Sequence, residues 1–208
     1  DVLADGVGST INLAALASFG DVHAGSSTGD NRYSTLTPKN GGAIQAGSLT
    51  TLTGVNVILD GTGTLPTGQI TALTGNSALT LSGSAASYNF NGLATATTSI
   101  IRLTGAAAST PNLASIDGTS FLVSGGSTLS IPAATSYTNT TASNDLTRTL
   151  QATGAGSTLN LPNLTSITNG TNFDTNLAIA ALSGGQANLA KVSSIEDPST
   201  GDTRFRTV

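Results

Sequence analysis

The 208-residue sequence predicts an all-β fold, a solenoid of about eight coils in which each coil has short parallel strands and roughly 21 residues. Three observations predict it. One frame of apolar and glycine positions recurs along the chain, apolar residues alternate with polar ones inside the frame, and glycines separate the alternating segments.

The recurring frame is Φ-x-Φ-x-G-x-G-S-x-Φ-x-Φ-x-x-Φ-x-x-Φ, where Φ is apolar, and it is clearest at 2–19, 121–137 and 150–167. Its second half recurs through the whole chain. The last apolar position of each copy falls at residues 19, 52, 73, 96, 116, 137, 167 and 195. The short steps between these positions cluster near 21 residues, and the longer steps indicate the same repeat plus an insert. Such a period is typical of a solenoid.

Within each copy, the Φ-x-Φ spacing has the period of two that characterises a strand with one face inward. No stretch carries apolar residues at i, i+3, i+4 and i+7 over three turns, so helices are not expected. Gly-x-Gly predicts a tight corner, because glycine adopts a positive φ without a Cβ clash. Pro66, Pro132 and Pro162 also fall at corners. Each coil should therefore have about three short strands, stacked about 4.8 Å from those of the next coil.

The inward aliphatic ladders and Gly-rich corners resemble the parallel β-helix modules of large bacterial secreted and surface proteins. The right-handed type, shared by pectate-lyase-like proteins and many adhesins, is the most similar. The resemblance implies a single-stranded parallel β-helix. The segment LPNLTSI at 161–167 is also similar to a leucine-rich repeat. That alternative ranks second, because the Asn position of the motif is not kept and no helical return segment follows.

The composition excludes several classes of protein. Thr (35), Ser (25) and Gly (25) dominate, and charged residues make up 9% against the usual value of about 25%. With Lys+Arg at 7 and a net charge of −4, a nucleic-acid partner is not expected. No run of about 18 apolar residues predicts a membrane span. The absence of cysteine excludes disulfides and thiolate sites, and 38% hydrophobic residues favour a folded chain over disorder.

Low charge with abundant Ser, Thr, Asn and Gly favours an extracellular or cell-surface bacterial protein. Because Val2–Ala4 already fit the frame, we expect a module of a longer chain with neighbouring domains. Residues 1–208 are expected to form a single β-helix domain. Its predicted insert loops are 20–42, 138–149 and 168–176, followed by a charged cap or linker at 196–208.

The carboxylates do not form a catalytic pattern. Glycoside hydrolysis needs a pair of carboxylates about 5–10 Å apart. Between residues 40 and 190 the acids are Asp60, Asp117, Asp145 and Asp174, and the frame stacks no two of them on one strand face. Asp5 and Asp60 share a corner position, but an inserted coil separates them. The sequence therefore predicts a protein that is not an enzyme and has no cofactor.

The first insert holds the remaining cluster of polar residues. Asp21, His23 and Asp30 are weak metal candidates, because carboxylates and imidazole bind metals but no recognised ligand spacing is present. A plain surface loop is the favoured interpretation. Arg32 and Tyr33 in the same insert are candidates for contact with a ligand.

The second strand of each coil is expected to expose hydroxyls and amides without charge, which match the hydroxyls of a polysaccharide. The function expected is therefore non-catalytic binding or adhesion. Phe19, Tyr88, Phe90 and Tyr137 occupy inward positions and are assigned to the core. Besides Arg32 and Tyr33, the candidate binding residues are Thr10, Asn12, Gln45, Thr64, Ser87, Asn89, Thr128, Ser130, Thr158, Asn160 and Asn188.

Two alternatives stay open. Flat, uncharged Thr-rich faces bind ice in some solenoids, although the second-strand row here is Thr-x-Asn, Thr-x-Ser and Ser-x-Asn, with Pro66 interrupting it. A structural spacer is the other alternative, because Thr and Asn also suit solvent-facing β positions that stack in parallel coils. The outward pairs of the third strand, from Ala17/Ser18 to Ser193/Ser194, form a further uncharged ladder.

Overall fold

The computed structural model describes residues 1–22, 33–84, 86–140 and 144–208. Over these ranges the chain is all-β, with 22 short strands arranged as a parallel β-helix of eight coils. This confirms the fold class that the repeat predicted. The described residues contain no helix long and apolar enough to cross a membrane.

The first strands of the eight coils form one continuous sheet. Neighbouring strands are parallel, and each residue lies opposite its repeat equivalent, as Val123 lies opposite Leu103 and Ala152. In order across the sheet, the strands are β1 (Val2–Asp5), β4 (Ser34–Lys39), β7 (Val55–Leu59), β9 (Ala78–Ser82), β12 (Ile100–Thr104), β14 (Ser120–Ser124), β17 (Thr147–Thr153) and β20 (Asn176–Leu182).

The second strands form a face that is interrupted twice. It consists of three separate groups of paired strands. The groups are β2 (Thr10–Asn12) with β5 (Ala43–Gln45); β10 (Ser87–Asn89) with β13 (Ala107–Ser109); and β15 (Thr128–Ser130), β18 (Thr158–Asn160) and β21 (Gln186–Asn188).

The third strands form two sheets. The first contains β3 (Ser18–Gly20), β6 (Thr51–Thr53), β8 (Ala72–Thr74) and β11 (Thr95–Ala96), and the second contains β16 (Ser136–Thr138), β19 (Ser166–Thr168) and β22 (Ser194–Glu196).

The core is one column of aliphatic side chains that runs through all the coils. From the second to the seventh coil, the inward residues of the first and third strands are buried, and so is Leu161 at the corner after the second strand β18. Phe90, Phe121 and Tyr137 fill wider positions. The predicted inward pattern is therefore confirmed there. It fails at the last coil, where Ile195 is 52% exposed because no further coil covers it.

A residue with positive φ follows the first strand of every coil. Six of the eight are glycines, from Gly6 to Gly154, and the other two are Asn40 and Ser183. Gly83 also shows that a corner can lack space for a side chain. A Cβ there would lie 2.5 Å from the carbonyl oxygen of Asp60 in the coil below. All eight corners need the left-handed backbone that the glycine pattern predicted, and some of them, such as the corner at Gly83, also leave no space for a side chain.

Buried polar side chains close the corner between the third strand and the next first strand. Here the backbone ladder is interrupted, and side chains supply the missing partners. The Oγ of Ser77 accepts from the N–H of Val55 at 3.1 Å and donates to the carbonyl of Thr74 at 2.7 Å. Two coils higher, the Oγ1 of Thr119 donates to the carbonyl of Ala96 at 2.7 Å. Satisfying these buried groups is what allows polar residues inside the solenoid.

The three inserts all leave the same corner, between the third strand and the next first strand. Their bounds are narrower than predicted. Residues 34–42 belong to β4 and its following corner, and β17 already begins at Thr147. The sequence hid β4 because one of its inward positions is Pro38, which does not read as a strand residue.

The charged segment 196–208 packs along this corner at the last two coils. Thr207 forms a parallel bridge with Asn176, and the buried Arg206 donates to the carbonyl of Gly170 at 2.7 Å. Arg206 also lies 3.9 Å from the Asp197 carboxylate.

We expect Leu161→Asp to lower the melting temperature by at least about 10 °C, because it places an unpaired carboxylate in the core column. Thr128→Asp, on an exposed outward position of β15, is the control and should change it by less than about 2 °C. Thermal unfolding followed by far-UV circular dichroism measures both. An unchanged melting temperature for Leu161→Asp would show that the inward register is wrong.

Gly83→Ala should destabilise the fold by about 1–3 kcal/mol, because alanine is strained at a φ of +110° and its Cβ meets the Asp60 carbonyl. The matched control is Gly47→Ala, where no atom lies within 4 Å of an added Cβ and φ is not in the left-handed region. Urea unfolding should show the control unchanged or slightly stabilised. Equal losses in both variants would contradict the corner analysis.

Candidate functional site

The outward positions of the second strand form the predicted uncharged ladder. Thr10, Asn12, Gln45, Thr64, Ser87, Asn89, Thr128 and Asn188 are exposed, and Ser130, Thr158 and Asn160 are partly exposed. The amides are linked from coil to coil. Asn188 Nδ2 donates to Asn160 Oδ1 at 2.7 Å, and Asn160 Nδ2 donates to Ser130 Oγ at 3.0 Å.

The fifth coil adds two members that sequence analysis missed. Ala107 and Ser109 on β13 are exposed and pair with Ser87 and Asn89. The frame is degenerate in this coil because its two inward positions hold Ala108 and the buried Thr110, and neither is a large apolar residue. A weak inward signal therefore hid the outward one.

The main break in this face lies between the third and fourth coils. Thr64 bridges to Ala43 below it, but Leu65 and Pro66 pair with no strand above. Proline has no N–H to give to a ladder. The gap opens a cleft of about 310 Å³ lined by Leu59, Gly61, Gly63, Thr64, Leu65, Thr67, Ala86, Ser87, Tyr88 and Asn89.

Tyr88 lines this cleft, which corrects its assignment to the core. Its ring is only half-buried, and its hydroxyl donates to the carbonyl of Ser82 at 2.5 Å. Burial raises the pKa of the phenol, with a smaller contribution from Asp60. Because Leu65 and Pro66 in the coil below do not pair with β10, the ring of Tyr88 stays accessible. Phe90 and Tyr137 are buried as predicted, and Phe19 is half-buried at the uncovered first coil.

The polar groups around Tyr88 are arranged by local hydrogen bonds. Thr67 Oγ1 donates to the backbone carbonyl of Asn89 at 2.6 Å, which holds the two coils together at the gap. Asn89 Oδ1 accepts from the N–H of Asn91 at 2.9 Å. The Nδ2 of Asn89 and the hydroxyls of Thr64 and Ser87 have no partner within the described parts of the chain. The cleft lining contains no charged side chain.

The third strands expose a second face, which is rich in hydroxyls and also carries the exposed Glu196 opposite Thr168. Ser18, Thr51, Ala72 and Thr95 stack in one row, and Ser136, Ser166 and Ser194 continue it in the later coils. Two residues further along each strand, Thr53, Thr74, Thr138 and Thr168 form a parallel row. The hydroxyls of Thr53 and Thr74 are 3.1 Å apart. Several coils of this face therefore carry the Thr-x-Thr or Ser-x-Thr spacing that the second-strand face lacks.

The first insert is only partly described. His23, Asp30 and Arg32 lie outside the described residues. Asp21 Oδ2 accepts from the backbone N–H of Ser34 at 3.0 Å and from its hydroxyl at 2.9 Å, which anchors the base of the loop. Tyr33 is half-buried just before β4. Among the described residues, no three His, Asp or Glu side chains are grouped closely enough to hold a metal.

The corner carboxylates make local structural contacts. Asp5 forms an ion pair with Lys39 at 3.3 Å, and a hydrogen bond from Asn40 is the main cause of its lowered pKa. A hydrogen bond from Thr62 similarly lowers the pKa of Asp60. Lys39 belongs to the coil that lies between the coils of Asp5 and Asp60. One coil therefore separates the two acids, as the repeat predicted. Asp117 Oδ1 accepts from the N–H of Thr138 at 2.7 Å.

No family model, curated protein or solved structure matches the chain. The class of the protein is therefore defined by its own architecture, a parallel β-helix with an uncharged second-strand face, a cleft in that face and rows of hydroxyls on the third strands.

Proposed function

We propose that this protein is a non-catalytic binding or adhesion module that contacts a neutral polysaccharide through its second-strand face. The observation that carries the proposal is the uncharged cleft between the third and fourth coils, where Tyr88, Asn89, Thr64 and Ser87 lie together. An extracellular or cell-surface location and a place in a longer protein belong to the same proposal.

The cleft combines the groups that sugars need. Sugar rings have apolar faces and a rim of hydroxyls, and binding sites for small ligands pair apolar surface with a few placed polar groups. Here Tyr88 and Leu65 supply apolar surface, and the amide of Asn89 with the hydroxyls of Thr64 and Ser87 supplies hydrogen bonds. The absence of charge from the lining favours a neutral sugar over a uronate.

Affinity from one cleft should be weak. Each hydroxyl or amide contact gives only about 1 kcal/mol net. The ladder of Asn12, Gln45, Ser130, Asn160 and Asn188 extends the same polar chemistry along the axis, with a spacing of about 4.8 Å per coil. A long polysaccharide can therefore contact several coils, and the cleft fixes its position.

We expect Asn89→Ala to weaken polysaccharide binding by about five- to tenfold, because it removes one of the few polar groups in the cleft. Tyr88→Ala should abolish measurable binding, since it removes the aromatic surface. A glycan array identifies the ligand, and isothermal titration calorimetry or affinity electrophoresis measures the variants.

Asn56→Ala is the matched control. Asn56 lies on β7 in the sheet of first strands, outside the second-strand face, and its Oδ1 accepts from the hydroxyl of Thr80 at 3.3 Å. Binding by Asn56→Ala should stay within about twofold of the parent, because this variant leaves every group of the second-strand face in place. Equal losses for Asn56→Ala and Asn89→Ala would rule out the cleft as the main site. Losses confined to Asn160→Ala or Tyr33→Ala would move the site to those residues.

Ice binding is a second candidate, and it is favoured by the third-strand face rather than by the second. That face carries stacked hydroxyl rows with the Thr-x-Thr spacing, including Thr51 and Thr53 on β6 and Thr95 and Thr97 in the fourth coil. The parallel ladder holds the rows at regular intervals along the axis, which an ordered water lattice requires.

If the protein binds ice, Thr51→Tyr and Thr95→Tyr should each remove thermal hysteresis, because a ring would project from the flat face. Thr128→Tyr introduces the same ring on the second-strand face and should have no effect. Nanolitre osmometry measures all three variants. If the unsubstituted protein shows no thermal hysteresis and no hit on the glycan array, both candidates are contradicted. The structural spacer is then the remaining interpretation.

A further inference from the structure

Arg148 is a buried cation without a counterion among the described residues. Arg148 is the second residue of β17, directly after the second insert, and it points inward with only 4% of its surface exposed. The register places it over Thr119 and under Leu177. In the coils below, the same position holds the small hydroxyls of Ser77, Ser99 and Thr119, which close the corner.

The polar atoms at this corner lack partners. The Nε and one Nη of Arg148 form no hydrogen bond with any described residue, nor does the hydroxyl of Tyr137. Tyr137 is 1% exposed and is the central residue of β16, the third strand on the other side of the same corner. No carboxylate of the described residues lies within ion-pair distance of Arg148. Burial raises the pKa of Tyr137, the Asp117 carboxylate is close enough to raise this pKa further, and Asp117 Oδ1 accepts from the N–H of Thr138. Burial lowers the pKa of this guanidinium, while Tyr137 and Tyr33 oppose that shift.

A buried guanidinium without a counter-charge is strongly unfavourable. Arginine cannot relieve this by losing its proton in the way that lysine can, because its ordinary pKa is too high. A water molecule would supply hydrogen bonds but no charge. The arrangement therefore calls for an anion that is small enough to fit under the corner.

We propose that Arg148 and Tyr137, which flank the corner between β16 and β17, bind one small monovalent anion of the size of chloride or bromide. The Nε–H and Nη–H groups of Arg148 and the O–H of Tyr137 donate to it. Asn139, two residues after Tyr137, has a buried Oδ1 without a partner. As an acceptor it does not bind the anion. This site is independent of the polysaccharide cleft, which lies on another face.

The direct test is a crystal of the whole chain soaked in sodium bromide, with data collected at the bromine absorption edge. We expect an anomalous peak within hydrogen-bonding distance of Arg148 and Tyr137. Peaks only at the surface, or a corner filled by water alone, would overturn the proposal.

The solution test compares sodium chloride with sodium gluconate at equal ionic strength. Chloride should raise the melting temperature by about 4 °C, because it binds the folded state alone and gluconate is too large to enter. Arg148→Met should remove this difference, and Tyr137→Phe should reduce it. Arg102→Met, the same change at an outward position of β12, should leave it intact. The proposal would be overturned if the chloride effect persists in Arg148→Met, or if Arg102→Met removes it as well. If Arg148→Met fails to fold, the crystal experiment decides.

Discussion

The whole structure depends on the hydrogen-bonded spacing of the parallel ladder. Adjacent coils lie about 4.8 Å apart, so each side chain sits directly over its repeat equivalent. Every coil must then have nearly the same cross-section, and one wide residue affects both neighbours. This is why aliphatic side chains fill the inward column, why left-handed residues recur at one corner, and why extra residues leave only where the ladder is interrupted.

The same spacing explains what could be predicted from the sequence. The strands, the glycine corners, the core residues and the uncharged ladder all follow from local alternation repeated along the chain. β4 was missed because Pro38 conceals the alternation, although it is buried as an inward residue. The fifth-coil members Ala107 and Ser109 were missed because their coil has a small inward residue.

The cleft and the Arg148 corner depend on contacts between coils, which no single repeat displays. Pro66 is visible in the sequence as a corner residue. Its effect, however, falls on Tyr88 in the next coil, which the repeat alone assigns to the core. Arg148 follows an insert whose length obscures the frame, so its inward position emerges only once β17 is paired with β14 and β20. The informative residues are those at which one coil fails to match the next.

The unequal continuity of the three faces gives the solenoid a mechanical asymmetry. The sheet of first strands runs unbroken from β1 to β20, whereas the second-strand face is split in two places and the third-strand face in one. A rod with one continuous side and two interrupted sides bends most easily about its continuous side. Bending in one direction widens the gap beside Tyr88, and bending in the other narrows it. The gap beside Tyr88 is therefore the point along the rod at which a bend would change the width of the cleft most directly.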